Sequence, residues 1–405
     1  MMGESFENDP GRASTASSGG VAMRVVALLD SAEISGPGRQ LAALAGALAP
    51  AGVELVVVTF HRAGRPRSPY RDYLERAGVH YAVLEENGPL DLGLVLRLER
   101  LCAHLAPQVV QTHGYKPAVL VNVLRRRGAA WSWIAFFHGA TAENRKVKLY
   151  NWLHDHMLGS ADRVVVMSRE DRARLAHLGE KVSVVHNAAI ALPHEDAVSG
   201  EPPVGARAVG DDACLRIGVV GRLSPEKGVD VFLHACRALT ERGVNLSGTV
   251  AGDGPERQAL EHLRDSLGLA ERVHFVGATA AVQALYAGLD LLVIPSRSEG
   301  LPNVLLEALR ADLPVVATAV GAIPEVLDSP LAGLVVPAGS AAALADAIPR
   351  AAALRDQPTA RQARRDVVER FSLRHRAEEH LRLYAELGHP SAAAAAVRST
   401  LTGVG

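Results

Sequence analysis

Disulfides, net charge and membrane-length apolar runs are scarce or missing in this sequence. Only three of its 405 residues are cysteine. Cys102, Cys214 and Cys236 lie far apart in the chain, so neither a disulfide framework nor a zinc cluster is indicated. The 43 Lys+Arg and 44 Asp+Glu residues leave a formal charge of −1, which removes the basic footprint of a nucleic-acid binder. A slight asymmetry remains, with +4 over residues 1–190 and −5 over the rest. No apolar run approaches the roughly 18 residues of a spanning helix. Residues 1–20 lack the apolar centre of a signal peptide and read as a disordered Ser- and Gly-rich leader. The expected location is cytoplasmic.

What the chain does have is length and a repeated alternation. At 405 residues, 48% of them hydrophobic, it exceeds one typical core, so two domains are expected. From Met23, short β-branched runs alternate with amphipathic stretches such as Arg39–Leu48 and Leu92–Leu105. The runs are Arg24–Leu29, Glu54–Phe60, His80–Leu84, Val109–Thr112, Trp133–Phe137, Arg163–Met167 and Ser183–Val185. Near-continuous apolar strands separated by helices predict a parallel sheet covered on both faces. Residues 191–213, with three prolines, read as a linker. The alternation restarts with Leu215–Val220, Leu246–Ala251, Val273–Val276, Leu291–Pro295, Pro314–Ala317 and Gly333–Val336. The predicted fold class is therefore α/β: two Rossmann-like parallel-sheet domains, over 21–190 and 214–370, facing across a cleft. Helices over 371–388 and a tail over 389–405 complete the chain. Ligands of such sheets bind beyond the carboxyl ends of the strands.

Two glycine pairs imitate a dinucleotide fingerprint. Gly36-Pro37-Gly38 and Gly252-Asp253-Gly254 both follow strands, but Leu41 and Arg257 stand where the third glycine belongs. No Walker-type phosphate loop, zinc-protease motif or hydrolase nucleophile motif is present. Gly36 and Gly38 still sit where a βα turn meets a helix N-terminus, a place for an anionic ligand or simply for a tight turn. The stretch Gly221 to Gly228 follows the first strand of the second half. Its Arg222 and Lys227 suit either a diphosphate or an exposed charged loop.

The most specific stretch is Ser296-Arg297-Ser298-Glu299-Gly300-Leu301-Pro302-Asn303-Val304-Leu305-Leu306-Glu307. Glu299 falls on the loop before a helix that Pro302 opens, and Glu307 lies about a turn and a half inside it. The two carboxylates thus address different parts of one long ligand. A carboxylate accepts paired hydrogen bonds from vicinal hydroxyls, the chemistry of sugar or ribose recognition; a solvated helix end is the alternative. His113-Gly114 and His138-Gly139 each end a strand, where an imidazole either faces the cleft or serves the core. Arg145, Lys146 and Lys148 share a helix with Leu149, Trp152, Leu153 and Met157. A core face plus a wet face is preferred there to membrane contact.

Taken together, these residues resemble the GT-B glycosyltransferases, specifically the retaining glycosyltransferase family 4, over Met23 to about Leu387. The resemblance rests on motifs in order. They are Gly36–Gly38, His138-Gly139, Ala161-Asp162-Arg163-Val164 leading to Ser168, Gly221–Gly228, Ala251-Gly252-Asp253-Gly254-Pro255, Val273–Gly277, and Glu299 and Glu307 with seven residues between them. It implies a nucleotide-diphosphate sugar in the second domain, a UDP- or GDP-sugar, with no other cofactor and no metal. Arg222 and Lys227 would hold the diphosphate and Glu307 the ribose. Glu299 would touch the donor sugar, with Gly300, Leu301, Pro302 and Asn303 nearby, and Phe275, Val276 and Gly277 would line the base. His138 would approach the sugar from the first domain, Gly36 and Gly38 would close over the phosphates, and the helices after Phe371 would cross back to the first domain.

In this resemblance Arg222, Lys227, His138 and Glu299 carry the catalytic step, a transfer with retention of configuration. His113, Lys116 and Glu143 are placed at the acceptor by position alone. The acceptor class implied is a carbohydrate or lipid-linked saccharide. The mildly basic first domain also admits peripheral contact with an anionic membrane. Two departures stand out: His186-Asn187-Ala188 replaces an asparagine-glycine pair, and Pro37 interrupts the commoner double glycine. A nucleotide-sugar epimerase and a catalytically inactive sugar-nucleotide-binding protein are the rival readings.

Overall fold

Thirteen strands, all parallel to their neighbours, form two sheets among the described residues. A computed structural model of the chain describes residues 21–62, 64–88, 91, 93–138, 157–191, 214–279 and 281–388. The expected leader and tail lie outside the described residues, as do all but the first residue of the linker, Glu143, and the basic stretch Arg145 to Leu153.

The first sheet is built from β1 (Met23–Leu29), α1 (Gly36–Leu48), β2 (Val53–Arg62), α2 (Pro69–Arg76), β3 (Tyr81–Glu86), α3 (Gly93–Leu105), β4 (Val109–His113), α4 (Tyr115–Arg126), β5 (Ser132–Phe137), β6 (Arg163–Val166), α5 (Arg169–Arg174) and β7 (Val182–Val184). Its strand order is β3-β2-β1-β4-β5-β6-β7. The second contains β8 (Leu215–Val220), α6 (Val229–Glu241), β9 (Leu246–Ala251), α7 (Arg257–Ser266), β10 (Val273–Gly277), α8 (Val282–Gly288), β11 (Leu291–Ile294), α9 (Asn303–Arg310), β12 (Val315–Thr318), α10 (Ile323–Val326), β13 (Gly333–Val336) and α11 (Ala341–Ala352). Its order is β10-β9-β8-β11-β12-β13. Two helices follow, α12 (Pro358–Arg370) and α13 (Leu373–Glu386).

Every expected strand is present, because these runs are apolar on both faces and bury themselves under helices. One local expectation is corrected. Gly36-Pro37-Gly38 is the first turn of α1 rather than a turn ahead of it. Ser35 caps the helix by accepting the Gly38 N–H at 3.2 Å, and Pro37 tolerates this position because first-turn amides need no intrahelical partner.

Apolar clusters back the outer face of each sheet, and a third runs continuously through both domains. Leu41, Leu44 and Leu48 of α1 belong to that shared cluster with Leu305 and Leu306 of α9 and with Ala377, Leu381 and Tyr384 of α13. The terminal helix thus packs against α1 of the first domain. Burial of this many aliphatic side chains, at about 1.5–3 kcal/mol each, makes the lobe contact part of the core.

Candidate active site between the two domains

In each sheet the strand order reverses once, between β1 and β4 and between β8 and β11. Open parallel sheets hold ligands at such points. The residues singled out in the sequence follow these four strands closely: Gly36 after β1, His113 ending β4, Arg222 after β8 and Glu299 after β11.

In the second domain, two loops lie back to back. Gly221 N–H donates to the Ala251 carbonyl at 2.9 Å, and Leu223 N–H to the Asp253 carbonyl at 2.9 Å. A Cβ on Gly252, whose φ is +144°, would fall 1.8 Å from the Gly221 oxygen. Gly252 and Gly254 therefore serve this loop contact. The turn Pro225–Lys227 then carries Lys227 to Glu299, with Nζ donating to Oε1 at 2.6 Å. Ser296 Oγ donates to the same oxygen at 2.8 Å. Arg222, on the loop that leads from β8 to this turn, is exposed.

Glu307 is 4% exposed on the second turn of α9. Its Oε1 receives Arg39 of α1 at 2.5 Å, and its Oε2 receives the Tyr286 hydroxyl at 3.1 Å. Burial, and then the neighbouring carboxylate, push the Tyr286 hydroxyl well above the ordinary phenol range, so it stays a proton donor. Glu299 and Glu307 have separate partners and do not share one spot.

The lobes meet closely around these carboxylates. A Cβ on Gly36 would lie 2.2 Å from Asn303 Nδ2, and one on Gly300 would lie 2.9 Å from the His138 carbonyl oxygen. Gln40 Nε2 donates to Asn303 Oδ1 at 2.9 Å and to the Ala188 carbonyl at 2.8 Å. Arg376 of α13 donates through Nη1 to Gln40 Oε1, the His186 carbonyl and Asn187 Oδ1, at 3.0, 3.1 and 2.7 Å. Asn187 Nδ2 in turn donates to the Leu301 carbonyl at 3.0 Å. Burial lowers Arg376 to about 10, which leaves it cationic at neutral pH. Behind this hub, a cavity of about 300 Å³ is lined by Arg169, His186, Glu325, His375 and Glu379, among others.

Not every expected residue faces the cleft. His113 is 3% exposed, so its expected acceptor contact is corrected to a buried one: its Nδ1 lies 3.0 Å from His138 Nε2. Strand alternation separates Phe275 from Val276. The Phe275 ring packs with the outer cluster, 5.8 Å from the Arg264 guanidinium, whereas Val276 packs with the shared core. Both therefore do not line one base pocket; Gly277 ends the strand at the sheet's carboxyl edge. Lys116 donates to Glu86 at 2.5 Å and sits 4.1 Å above the Phe60 ring. Glu143 lies outside the described residues.

Arg39, Gln40, Tyr286 and Arg376 were not legible as site residues. Arg39 and Gln40 carried one weak signal, their place directly after the glycine-bearing turn. Arg376 carried none, since arginine on a terminal helix reads as a wet face.

Two parallel α/β domains with ligand-binding strand ends opposed across a cleft define the GT-B class. A model described as Glycosyltransferase Family 4 matches residues 34–189, and one described as Glycosyl transferases group 1 matches residues 214–353. The chain belongs to this glycosyltransferase family.

An α-D-kanosaminyltransferase of Streptomyces kanamyceticus is 36% identical over 145 residues, 35% of this chain and 37% of that protein. A putative colanic acid biosynthesis glycosyltransferase, WcaL, of Escherichia coli K12 is 30% identical over 268 residues, 62% of this chain and 64% of that one. The matches thus span about a third to two thirds of these relatives' lengths. Among solved structures, Anabaena Alr3699/HepE in complex with UDP-glucose superposes with a TM-score of 0.72 at 18% identity, covering 90% of this chain and 100% of that one. Sucrose-phosphate synthase of Thermosynechococcus elongatus gives 0.71 at 20% identity, covering 91% and 100%. At these identities the superpositions establish the fold.

Proposed function

We propose that the chain transfers a sugar from a UDP- or GDP-sugar to a hydroxyl of a carbohydrate or lipid-linked saccharide, with retention and without a metal ion. The observation that carries the proposal is the Lys227–Glu299 pair at the carboxyl ends of β8 and β11, with exposed Arg222 on the loop that follows β8. Two cations beside a carboxylate suit a diphosphate joined to a polyol: the cations take the phosphate charge and the carboxylate accepts from sugar hydroxyls. Glu307, one and a half turns further on, suits the ribose.

As the C1–O bond to phosphate breaks, negative charge grows on the leaving diphosphate. Lys227 and Arg222 stabilise that charge, the task a metal performs elsewhere. The acceptor oxygen forms the new bond to C1 on the same face, and its proton passes to the departing phosphate oxygen. Glu299 acts as a sugar ligand in this scheme, since its Oε1 is already engaged by Lys227 and Ser296. Relatives named for UDP-glucose complexes and for saccharide synthesis support the donor and acceptor classes by analogy.

The test is a thermal-shift screen of nucleotide sugars followed by donor hydrolysis with and without chelator. Stabilisation by one donor family, and hydrolysis that survives chelator, are expected. Turnover that vanishes in chelator and returns with magnesium refutes the metal-free step. Binding untouched by both Glu307→Ala and Lys227→Ala refutes the site.

A further inference from the structure

Three buried polar side chains join the returning helix α13 to the segment that follows Glu299. They are Arg376 on α13, Gln40 on α1 and Asn187 on the stretch after β7. That stretch is fastened to the turn before α13, where the Ala189 N–H donates to the Phe371 carbonyl at 2.8 Å. It contains His186-Asn187-Ala188, one of the two departures from the family's pattern, which the transfer scheme leaves without a task.

The direction of each hydrogen bond in this group is forced. A guanidinium only donates and a backbone carbonyl only accepts. Arg376 Nη1 reaches Gln40 Oε1 and Asn187 Oδ1, so each amide turns its oxygen toward α13. The Ala188 N–H is a second donor to Gln40 Oε1, at 3.0 Å. The amide nitrogens then face the other way, and both meet acceptors there. Asn187 Nδ2 donates to the Leu301 carbonyl at 3.0 Å. Gln40 Nε2 donates to the Ala188 carbonyl at 2.8 Å and to Asn303 Oδ1 at 2.9 Å. Turning either amide round would set N–H against N–H on one side and oxygen against carbonyl oxygen on the other. Unpaired donors and acceptors are costly in so dry a place, which selects one orientation.

Leu301 and Asn303 belong to the second domain. Leu301 lies in the loop between Glu299 and α9, and Asn303 opens α9. Asn303 is oriented in its turn. Its Oδ1 takes the Gln40 proton, which leaves Nδ2 on the side of Gly36, where a Cβ would lie 2.2 Å from it. Within its own domain the segment is held at Gly300, whose carbonyl accepts the Ala322 N–H at 2.8 Å. From the first domain it is held at Leu301 and Asn303, by the two amides that Arg376 sets.

We propose that Arg376 is a positioning residue of the transfer site. By orienting the Asn187 and Gln40 amides, it holds the segment from Gly300 to Asn303 where that segment meets the donor sugar. This rests on the reading of Glu299 and the loop after it as the sugar side of the cleft. Arg376 touches no reacting atom; its effect passes through the two amides. The amides stand on the first domain and the segment on the second, so lobe docking and the shape of the sugar site are coupled.

The experiment compares the full-length wild type with Arg376→Met and Asn187→Asp. Arg376→Met keeps most of the side chain and removes the donor. Asn187→Asp keeps an oxygen for the guanidinium but turns a second oxygen on the Leu301 carbonyl, so only the link to the loop is cut. The first readout is proton–nitrogen NMR of the side-chain amides of Gln40, Asn187 and Asn303, each assigned by its loss on substitution. Arg376→Met is expected to speed solvent exchange of the Gln40 and Asn187 amide protons by about tenfold or more. The second readout is hydrolysis of the UDP- or GDP-sugar that stabilises the wild type. Both variants should lose about tenfold in kcat, while binding of UDP or GDP alone stays within about threefold. Asn187→Asp should melt within about 3 °C of the wild type, so its lost turnover is not lost fold.

Amide exchange unchanged in Arg376→Met overturns the inference. So does turnover within about twofold of wild type in both variants, or a loss that only keeps step with a lowered melting temperature. Should Arg376→Met not fold, Asn187→Asp decides: stable with little turnover supports the inference, and stable with full turnover overturns it. Absence of any sugar-nucleotide turnover by the wild type would refute the transferase reading. The amide spectra would then still decide whether Arg376 orders the segment.

Discussion

Arg39 and Glu307, 268 residues apart in sequence, meet at 2.5 Å and close the cleft between the two domains. The carboxylate side chain is 3% exposed and the guanidinium 20%. The ion pair is therefore dry on one side and wetter on the other. Such a pair is worth little against hydrophobic isosteres, but removing one partner strands a buried charge. Arg39→Ala is expected to lower the unfolding free energy by about 2–3 kcal/mol. Glu307→Gln, which keeps the Tyr286 contact, should cost less, and the double variant should cost less than the sum. Urea titrations of the four proteins measure the coupling; strict additivity would show that the two side chains do not interact.

Lys227 and Arg222 should separate in their effects, because one is bound into the structure and the other is exposed. Arg222→Ala is expected to leave stability within about 0.5 kcal/mol while lowering donor turnover about a hundredfold. Lys227→Ala should lower turnover similarly and also cost stability, since Glu299 loses its cation. Equal turnover in wild type and Arg222→Ala would remove Arg222 from the diphosphate.

Acid sensitivity follows from the buried histidines. His113 and His380 are neutral in the folded protein, with pKa values below the ordinary 6.5 because burial penalises the cation. Below about pH 6.5 the unfolded chain takes up protons that the folded chain refuses, so stability falls on acidification. Each histidine contributes a slope of up to about 1.4 kcal/mol per pH unit, until the pH reaches its folded pKa. For His380 that limit is about 3. Denaturation measured between pH 4.5 and 7.5 should show a shallower slope in His380→Phe than in the wild type; parallel curves would place His380 in contact with solvent.

Among the glycines of the two loops that follow β8 and β9, Gly252 is the least replaceable. Gly252→Ala puts a methyl group 1.8 Å from a backbone oxygen and holds alanine at a φ of +144°. A loss of about 2–4 kcal/mol is expected, with donor binding lost because the loop bearing Arg222 and Lys227 shifts. Calorimetry of the variant checks this; an unchanged melting transition would mean the two loops move apart freely.

Much of the architecture was legible beforehand because parallel strands announce themselves as short apolar runs, and chemistry in such sheets gathers at strand ends. Arg222, Lys227 and Glu299 could be picked out as candidates on that ground, and Glu307 by its spacing inside the following helix. The two glycine pairs turned out to differ: Gly36 and Gly38 belong to the first turn of α1 rather than to a turn ahead of it. Gly252 and Gly254 admit a neighbouring loop, and no nucleotide-like spacing was needed for that. His113 misled because a histidine at a strand end looks the same in sequence whether its ring faces a cleft or a helix.

The sequence by itself determined the two alternating α/β halves, the loops that carry charge at their strand ends, and the two glutamates set on different turns. These are local matters of period, capping and spacing. Only the tertiary structure decided which groups those glutamates meet and which histidine is buried. It also decided that Arg376 on the last helix ties Gln40 to Asn187. Those pairings join segments from both domains, and nothing in local periodicity encodes them. They follow from the docking of two lobes through a shared apolar core, which strips water from polar side chains and favours those that pair with one another.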